Sequence, residues 1–233
     1  MRELPAPYRL ARSPAHEAAS LAERHEAGEC LSHTLSPDEL AQFKKLKVPK
    51  RRRDWLAGRL AAKKLLLEML AERGREARPH ELPILNRKDG APYLAFPWEG
   101  EPAPFLSLSH APSGAVAAAV AGGRRIGVDA EAVAERPEAF VTVFAHPSER
   151  AGLRSAHDQT RLWTLKESVL KLLCLGLSVD LWDVRFLEAD PQRLELHGRA
   201  LACWESLGRP AIRVESRPSE HEVLSLAYTG ETP

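Results

Sequence analysis

Residues 163–171 read WTLKESVLK, and the interpretation of the chain depends on this stretch. A helix is predicted from Thr160 to Leu173, because apolar residues recur there at helical spacing. At 100° per residue, one apolar stripe is formed by Leu162, Leu165, Val169, Leu172 and Leu173. Glu167 and Lys171 lie about opposite this stripe, in a row with Trp163. Two interpretations are open: an ordinary ion pair on a solvated face, or a functional face, which the indole favours.

The stretch RRIGVDAEAV, residues 124–133, predicts a half-buried strand because apolar and polar residues alternate along it. Asp129 and Glu131 then share one face with Gly127, while the apolar residues between them face inward. Carboxylate oxygens are the ligands that Mg²⁺ prefers, and a neighbouring glycine leaves room for a bulky anion. The alternative is a pair of solvated acids at the end of a strand.

The helix and the strand reinforce each other if they pack together. Glu167 would then add a third carboxylate to Asp129 and Glu131, and Lys166 and Lys171 would offset the charge of arriving phosphates. These charges outline a phosphoryl-transfer site.

A weak internal sequence repeat predicts two related α+β halves, residues 1–123 and 124–233. At an offset of about 108 positions, counted on the printed sequence, Trp55 aligns with Trp163, Arg59 with Glu167 and Lys63 with Lys171. LSLSH at 106–110 and LSLAY at 224–228 recur later. A chance likeness between two amphipathic helices is the alternative.

Other segments predict individual elements of these halves. Ser36 and Pro37 predict the start of one helix, and a longer helix is expected from Arg53 to Ala71. Asp89–Gly90 predicts a turn, and residues 105–122 predict two strands. From residue 184 to the end the chain is predicted to form strands.

Composition excludes several classes of protein. The 233 residues are 44% hydrophobic and 28% charged, which is typical of a globular chain rather than a disordered or membrane-spanning one. The net charge of +1 argues against a nucleic-acid partner. Three scattered cysteines and the lack of an apolar leader or span predict a reduced, cytoplasmic chain without a membrane partner. The histidines show no zinc-ligand spacing.

Five segments carry a resemblance to a known family: SLSH at 107–110, IGVDAE at 126–131, FAHPSER at 144–150, WTLKESVLK at 163–171 and GLS at 176–178. In this order they resemble the Sfp-like 4′-phosphopantetheinyl transferases, over at least residues 50–185. The resemblance implies two similar α+β halves with the active site in the cleft between them. It also implies an enzyme that uses Mg²⁺ and coenzyme A to modify a serine of an apo acyl or peptidyl carrier protein, releasing 3′,5′-ADP. The length of the chain and its internal repeat favour a monomer.

The resemblance also implies roles for individual residues. Expected metal ligands are Asp129, Glu131 and Glu167, with Lys166 and Lys171 serving the diphosphate and Ser109 and His110 contacting coenzyme A phosphates. Glu149 is the expected base, a metal-bound water being the alternative, so that the catalytic set is Glu149, Lys166 and Glu167. Arg52 or Arg53, in the basic run 43–53, is expected at a phosphate edge.

Several alternatives stay open beside these roles. The basic run 43–53 is otherwise a solvated face, and His110 is otherwise a capping residue. Ala91 stands where relatives often carry a basic residue, and Arg87, Lys88 or the basic cluster at 44–53 could take the place of that residue. A non-catalytic module of the same fold that binds coenzyme A or a carrier, and an unrelated phosphodiesterase, are the competing functions.

Overall fold

The computed structural model describes residues 7–98, 102–187 and 190–230. The chain divides into two compact units, Met1–Gly123 and Arg124–Pro233. Each unit has its own apolar core. In both, one long helix packs on a three-stranded antiparallel sheet. The α+β fold class predicted from the sequence is therefore confirmed.

The N-terminal unit is built from five strands and three α-helices. In chain order they are β1 (Arg9–Pro14), α1 (Ala15–Glu26), α2 (Pro37–Lys45), α3 (Pro49–Ala71), β2 (Ile84–Asn86), β3 (Pro92–Leu94), β4 (Phe105–Ala111) and β5 (Gly114–Val120). The sheet has the order β1-β5-β4, and β2 pairs with β3 in a separate hairpin. Strand β5 consists largely of alanine and valine, so the long helix α3 can pack close to it.

Local sequence explains where these elements begin and turn. Ser36 Oγ accepts a hydrogen bond from Glu39 N, and Glu39 returns one from Ser36 N at 2.8 Å, so a capping box starts α2 as predicted. Helix α3 begins at Pro49, four residues before the predicted start, because proline suits the first helical position. Gly90, at φ +88°, makes the predicted turn between β2 and β3.

The C-terminal unit repeats this sequence of elements with one addition. Its elements are β6 (Ile126–Ala132), α4 (Glu138–Phe144), α5 (Pro147–Arg150), α6 (Ala156–Leu172), β7 (Val184–Phe186), β8 (Leu194–Leu196), α7 (Gly198–Ser206), β9 (Ile212–Pro218) and β10 (Glu222–Thr229). The sheet has the order β6-β10-β9, and β7 pairs with β8. The predicted strand run missed α7, and residues 188–189 and 231–233 of that run lie outside the described residues.

The two units share an order of elements, but one of the expected sequence repeats lies on strands that do not correspond. LSLSH lies on β4, at the edge of its sheet, whereas LSLAY lies on β10, in the centre of the other sheet. By position in the sheet and along the chain, β4 corresponds to β9 and β5 to β10. The likeness of these two pentapeptides is therefore coincidental.

The added helix α7 borders a groove of about 860 Å³, which β8 and β9 also line. Leu196, Trp204 and Ile212 contribute to its apolar wall. None of the three predicted metal ligands is among its lining residues. Within the described ranges, no helix combines the length and the apolar content needed to cross a membrane.

Candidate active site

Strand β6 presents its two acidic residues on one face, as the alternation predicts. Asp129 lies opposite Ser225 of β10, and Glu131 lies opposite Val223. Gly127, on the same face, lets helix α6 approach, because a Cβ at this position would overlap the backbone of Ser168. The apolar residues of the other face, Ile126, Val128 and Ala130, are buried. The strand thus brings two carboxylates against α6.

Helix α6 brings Glu167 and Lys171 to this strand. Ser155 caps the helix by accepting a hydrogen bond from Asp158 N. Glu167 is only 7% exposed, so the solvated-face interpretation is wrong. Lys171 Nζ lies 2.7 Å from Asp129 Oδ1, across to the strand. The face opposite the leucine stripe is therefore covered by the sheet.

The carboxylates act on one another electrostatically. The pKa of Glu167 is raised to about 7, chiefly by burial; the charge of Lys171 opposes this rise, and the charges of Asp129 and Glu131 add to it. Burial, followed by the charge of Asp129, also raises the pKa of Glu131. Trp163 donates its indole N–H to Glu131 Oε1 at 3.3 Å. Three acids from two elements thus share one region with Lys171.

The donor set of this region suits a divalent cation. Glu167 Oε1 is buried and has no hydrogen-bond partner among the described residues. The described residues contain no group of three His, Cys, Asp or Glu side chains already arranged around a metal position, and Lys171 lies against one oxygen of Asp129. The buried Oε1 of Glu167 and the nearby carboxylates of Asp129 and Glu131 are oxygen donors of the kind that a hard dication such as Mg²⁺ uses, so the residues present fit such an ion.

Arg136 is a neighbour of this region that the sequence did not point to. Its guanidinium lies 5.4 Å from the ring centre of Trp163, and its charge lowers the pKa of Glu131. In the sequence, Arg136 is a single basic residue shortly after β6, and it belongs to no motif that would have indicated its place. Arg136 therefore adds positive charge beside Glu131.

The structure places Glu149 and Lys166 out of contact with solvent. Both side chains are 0% exposed, and Lys166 Nζ lies 2.8 Å from Glu149 Oε2. The other carboxylate oxygen accepts from Phe186 N at 2.8 Å. This enclosure speaks against the expected roles of Glu149 as base and Lys166 as diphosphate ligand, because such groups must reach substrate.

The remaining predicted residues lie in the N-terminal unit. Ser109 is buried and His110 exposed, both on β4. His110 packs over α3 at Gly58, where a Cβ would lie 2.7 Å from the imidazole Nε2. Arg52 covers the ring of Phe43 at 4.7 Å, whereas Arg53 is exposed.

Comparison with known proteins places the chain in a family. The family model described as the 4′-phosphopantetheinyl transferase superfamily matches residues 125–218. A holo-[acyl-carrier-protein] synthase of Enterococcus faecalis is 33% identical over 91 residues, which are 39% of this chain and 75% of that protein. Among solved structures, a holo-ACP synthase of Plasmodium yoelii is 19% identical, with a TM-score of 0.39 over 49% of this chain and 92% of its own.

A second Plasmodium yoelii structure, an acyl carrier protein synthase with ADP bound, is 20% identical. Its TM-score is 0.40 over 49% of this chain and 93% of its own. The family match agrees with the Enterococcus faecalis relative, and this chain covers 75% of that relative's length. The chain therefore belongs to the 4′-phosphopantetheinyl transferase superfamily.

Proposed function

We propose that this chain is an Sfp-like enzyme that transfers the 4′-phosphopantetheine group of coenzyme A to a serine of an apo acyl or peptidyl carrier protein. The superfamily predicted from the sequence is confirmed by the comparisons. The name of the bacterial relative, a holo-[acyl-carrier-protein] synthase, supports a carrier protein as acceptor. One observation carries the proposal: the acids of β6 lie close enough to Glu167 of α6 to raise its pKa. Glu167 Oε1 is buried and, among the described residues, has no hydrogen-bond partner.

The three carboxylates of this region are the proposed holders of Mg²⁺. Asp129, Glu131 and Glu167 supply oxygen donors, and Glu167 Oε1 has no competing donor among the described residues. When bound, the ion would supply positive charge to the diphosphate of coenzyme A. The pairing of Lys171 with Asp129 keeps a second positive charge beside the same acids.

The proposed reaction is a displacement at phosphorus. The serine oxygen of the carrier forms a bond to the phosphorus that bears pantetheine, the bond to 3′,5′-ADP breaks, and the serine proton passes to solvent water. Lys171, whose side chain is 26% exposed, stabilises the negative charge that develops on the departing group. Arg136 and Trp163 hold Glu131 through a nearby positive charge and a hydrogen bond, which limits its rotation.

Residues of the N-terminal unit are the proposed partners of the remaining phosphates. His110 and Arg53 are exposed, and Arg52 is half-buried. Ser109, which precedes His110 on β4, is buried. We retain all four as proposed ligands of coenzyme A. We also propose that the protein is monomeric and cytoplasmic and that it binds its carrier transiently.

The deciding experiment incubates the protein with coenzyme A, MgCl₂ and an apo carrier and measures the intact mass of the carrier. We expect the carrier to gain one phosphopantetheine group, and EDTA to stop the gain. Glu167→Gln should abolish the gain and weaken Mg²⁺ binding measured by calorimetry. Glu138→Gln, which removes an exposed carboxylate of the same unit, is the matched control and should behave like the wild type.

Two other outcomes would replace this proposal. Binding of coenzyme A with no mass gain on any carrier of a broad panel would indicate a non-catalytic module. Release of free phosphopantetheine in the absence of a carrier would indicate a phosphodiesterase.

A further inference from the structure

The ion pair between Glu149 and Lys166 lies in a closed network of backbone contacts. Glu149 Oε2 accepts from Lys166 Nζ at 2.8 Å and from His146 N at 2.7 Å. Its Oε1 accepts from Phe186 N at 2.8 Å. Lys166 Nζ also donates to Leu181 O at 3.0 Å. The pair therefore joins α5, α6 and the segment that leads into β7.

The N-terminal unit contains a corresponding network. Glu39 Oε2 accepts from Lys63 Nζ at 2.8 Å and from Ser36 N at 2.8 Å. Its Oε1 accepts from Ile84 N at 3.2 Å. Lys63 Nζ also donates to Leu82 O at 2.7 Å and to Pro79 O at 2.6 Å. Arg59 Nε lies 3.8 Å from Glu39 Oε1. This pair joins α2, α3 and the start of β2, and its two side chains are 0% and 2% exposed.

The matching networks fix how the two halves correspond. Lys63 is the counterpart of Lys166, so the sequence alignment that set Lys63 against Lys171 is wrong. The residue after the lysine is Glu167 in one unit and Lys64, which is exposed, in the other. The network therefore occurs once beside an acidic cluster and once beside a solvated lysine.

We infer that the Glu149–Lys166 pair is a duplicated structural clamp whose role at the active site is to position Glu167. The two enclosed side chains fill the space between α5, α6 and the segment before β7, and this packing directs Glu167, the residue after Lys166, at β6. Both residues are positioning residues rather than groups that touch substrate. The network in the N-terminal unit supports this inference because the same bonds form there without the acids.

The clamp has a chemical consequence that separates it from a catalytic role. Removing one partner leaves a buried charge unpaired, whereas removing both charges together leaves none. A double variant should therefore recover what a single variant loses. A lysine that stabilises charge on the reacting phosphate cannot be replaced in this way.

The first test compares urea midpoints and turnover of Lys166→Met, its counterpart Lys63→Met, and the double variant Glu149→Gln/Lys166→Met. Both single variants should lower the midpoint, and Lys63→Met should lower it less because Arg59 Nε still lies 3.8 Å from Glu39 Oε1. The double variant should regain most of it, with kcat within about threefold of the wild type, whereas losing a charge-stabilising contact costs about a hundredfold or more. Its pH–rate profile should keep the shape of the wild-type profile. The kcat readout rests on the proposed transferase function.

A double variant with the wild-type midpoint but a hundredfold lower kcat would overturn the inference. So would a pH–rate profile that lost its acidic limb, because Glu149 would then be the base.

The second test uses the wild-type protein and does not depend on the folding of a variant or on transfer activity. Amine acetylation followed by peptide mass spectrometry should label Lys64 and Lys171 quickly and leave Lys63 and Lys166 unlabelled until urea unfolds the protein. Equal labelling of Lys166 and Lys171, with protection of both by coenzyme A, would show that Lys166 meets substrate. If no carrier were modified, the proposed function would be contradicted. The labelling pattern would still show whether Lys166 is enclosed, as the clamp requires.

Discussion

Gly127 has no side chain, and the space that a side chain would fill is occupied by the backbone of α6. A Cβ there would overlap Ser168 O and crowd Leu172 N, neither of which can rotate away. We expect Gly127→Ala to lower the free energy of unfolding by about 3 kcal/mol, since α6 must shift off the sheet. Urea denaturation measures this loss.

Gly58→Ala is the matched control, because its added Cβ would meet the end of the His110 side chain and, at 3.6 Å, a methyl group of Leu108, and not backbone atoms. Alanine is favoured over glycine inside a helix by about 1 kcal/mol, so stability should stay equal or rise slightly. Displacement of His110 should weaken coenzyme A binding. Equal losses of stability in the two variants would contradict the packing described for Gly127.

Glu167 makes stability depend on pH in the absence of divalent ions. Its pKa is raised from 4.5 to about 7 in the folded protein, so the folded state holds this proton more tightly than the unfolded state does. Stability should therefore fall as the pH rises from about 4.5 to about 7, by up to about 3 kcal/mol from this group. In EDTA, Glu167→Gln should stabilise the protein at pH 8 and have little effect at pH 4.5.

Urea midpoints of the wild type and of Glu167→Gln at these two pH values measure the difference. A stability gain of the same size at both would mean that the gain does not come from the Glu167 charge.

At the scale of the element, α6 depends on its N-terminal cap. Ser155 Oγ accepts from Asp158 N at 3.2 Å, so Ser155→Ala should cost about 1 kcal/mol of stability. Glu167 lies several turns further on, so the midpoint for Mg²⁺ binding should not change. Ser36→Ala in α2 is the counterpart in the N-terminal unit. A variant that keeps full stability but binds Mg²⁺ more weakly would contradict this account.

Periodicity predicted α6, β6 and the face on which Asp129 and Glu131 lie, because alternation along a strand and spacing along a helix are local properties. It did not predict how far that face is covered. The stripe of leucines predicts one packed side, but the sheet covers the opposite side too, so Glu167 is buried. Sequence spacing cannot report the distance between separate elements.

The same limit explains why the sequence did not indicate that Lys166 is enclosed. The resemblance assigned it to substrate because it precedes Glu167 in a family motif, but consecutive helical residues point about 100° apart. Glu149 and the segment before β7, which enclose it, lie far away in sequence. Helix α7 was missed because it is nine residues long and contributes one buried residue, Ala200.

At the scale of the whole molecule, the three cysteines are free thiols in different surroundings. Cys30 is exposed, and a hydrogen bond with Ser32 lowers its pKa. Cys174 and Cys203 are partly buried. A thiol reagent should therefore modify one cysteine per folded chain rapidly, and all three in urea. Cys30→Ser should remove the rapid phase, and a rapid phase of two thiols would contradict the burial of the C-terminal pair.

The two sheets impose an order on how the chain can fold as it is synthesised. In each unit the central strand is the last to be made, β5 between β1 and β4, and β10 between β6 and β9. Neither sheet can therefore close before its final hairpin has left the ribosome. The N-terminal sheet has all its strands at Val120, before β6 begins at Ile126. Once Val120 has left the ribosome, the first half of the nascent chain can thus fold while later parts of the second half are still being translated.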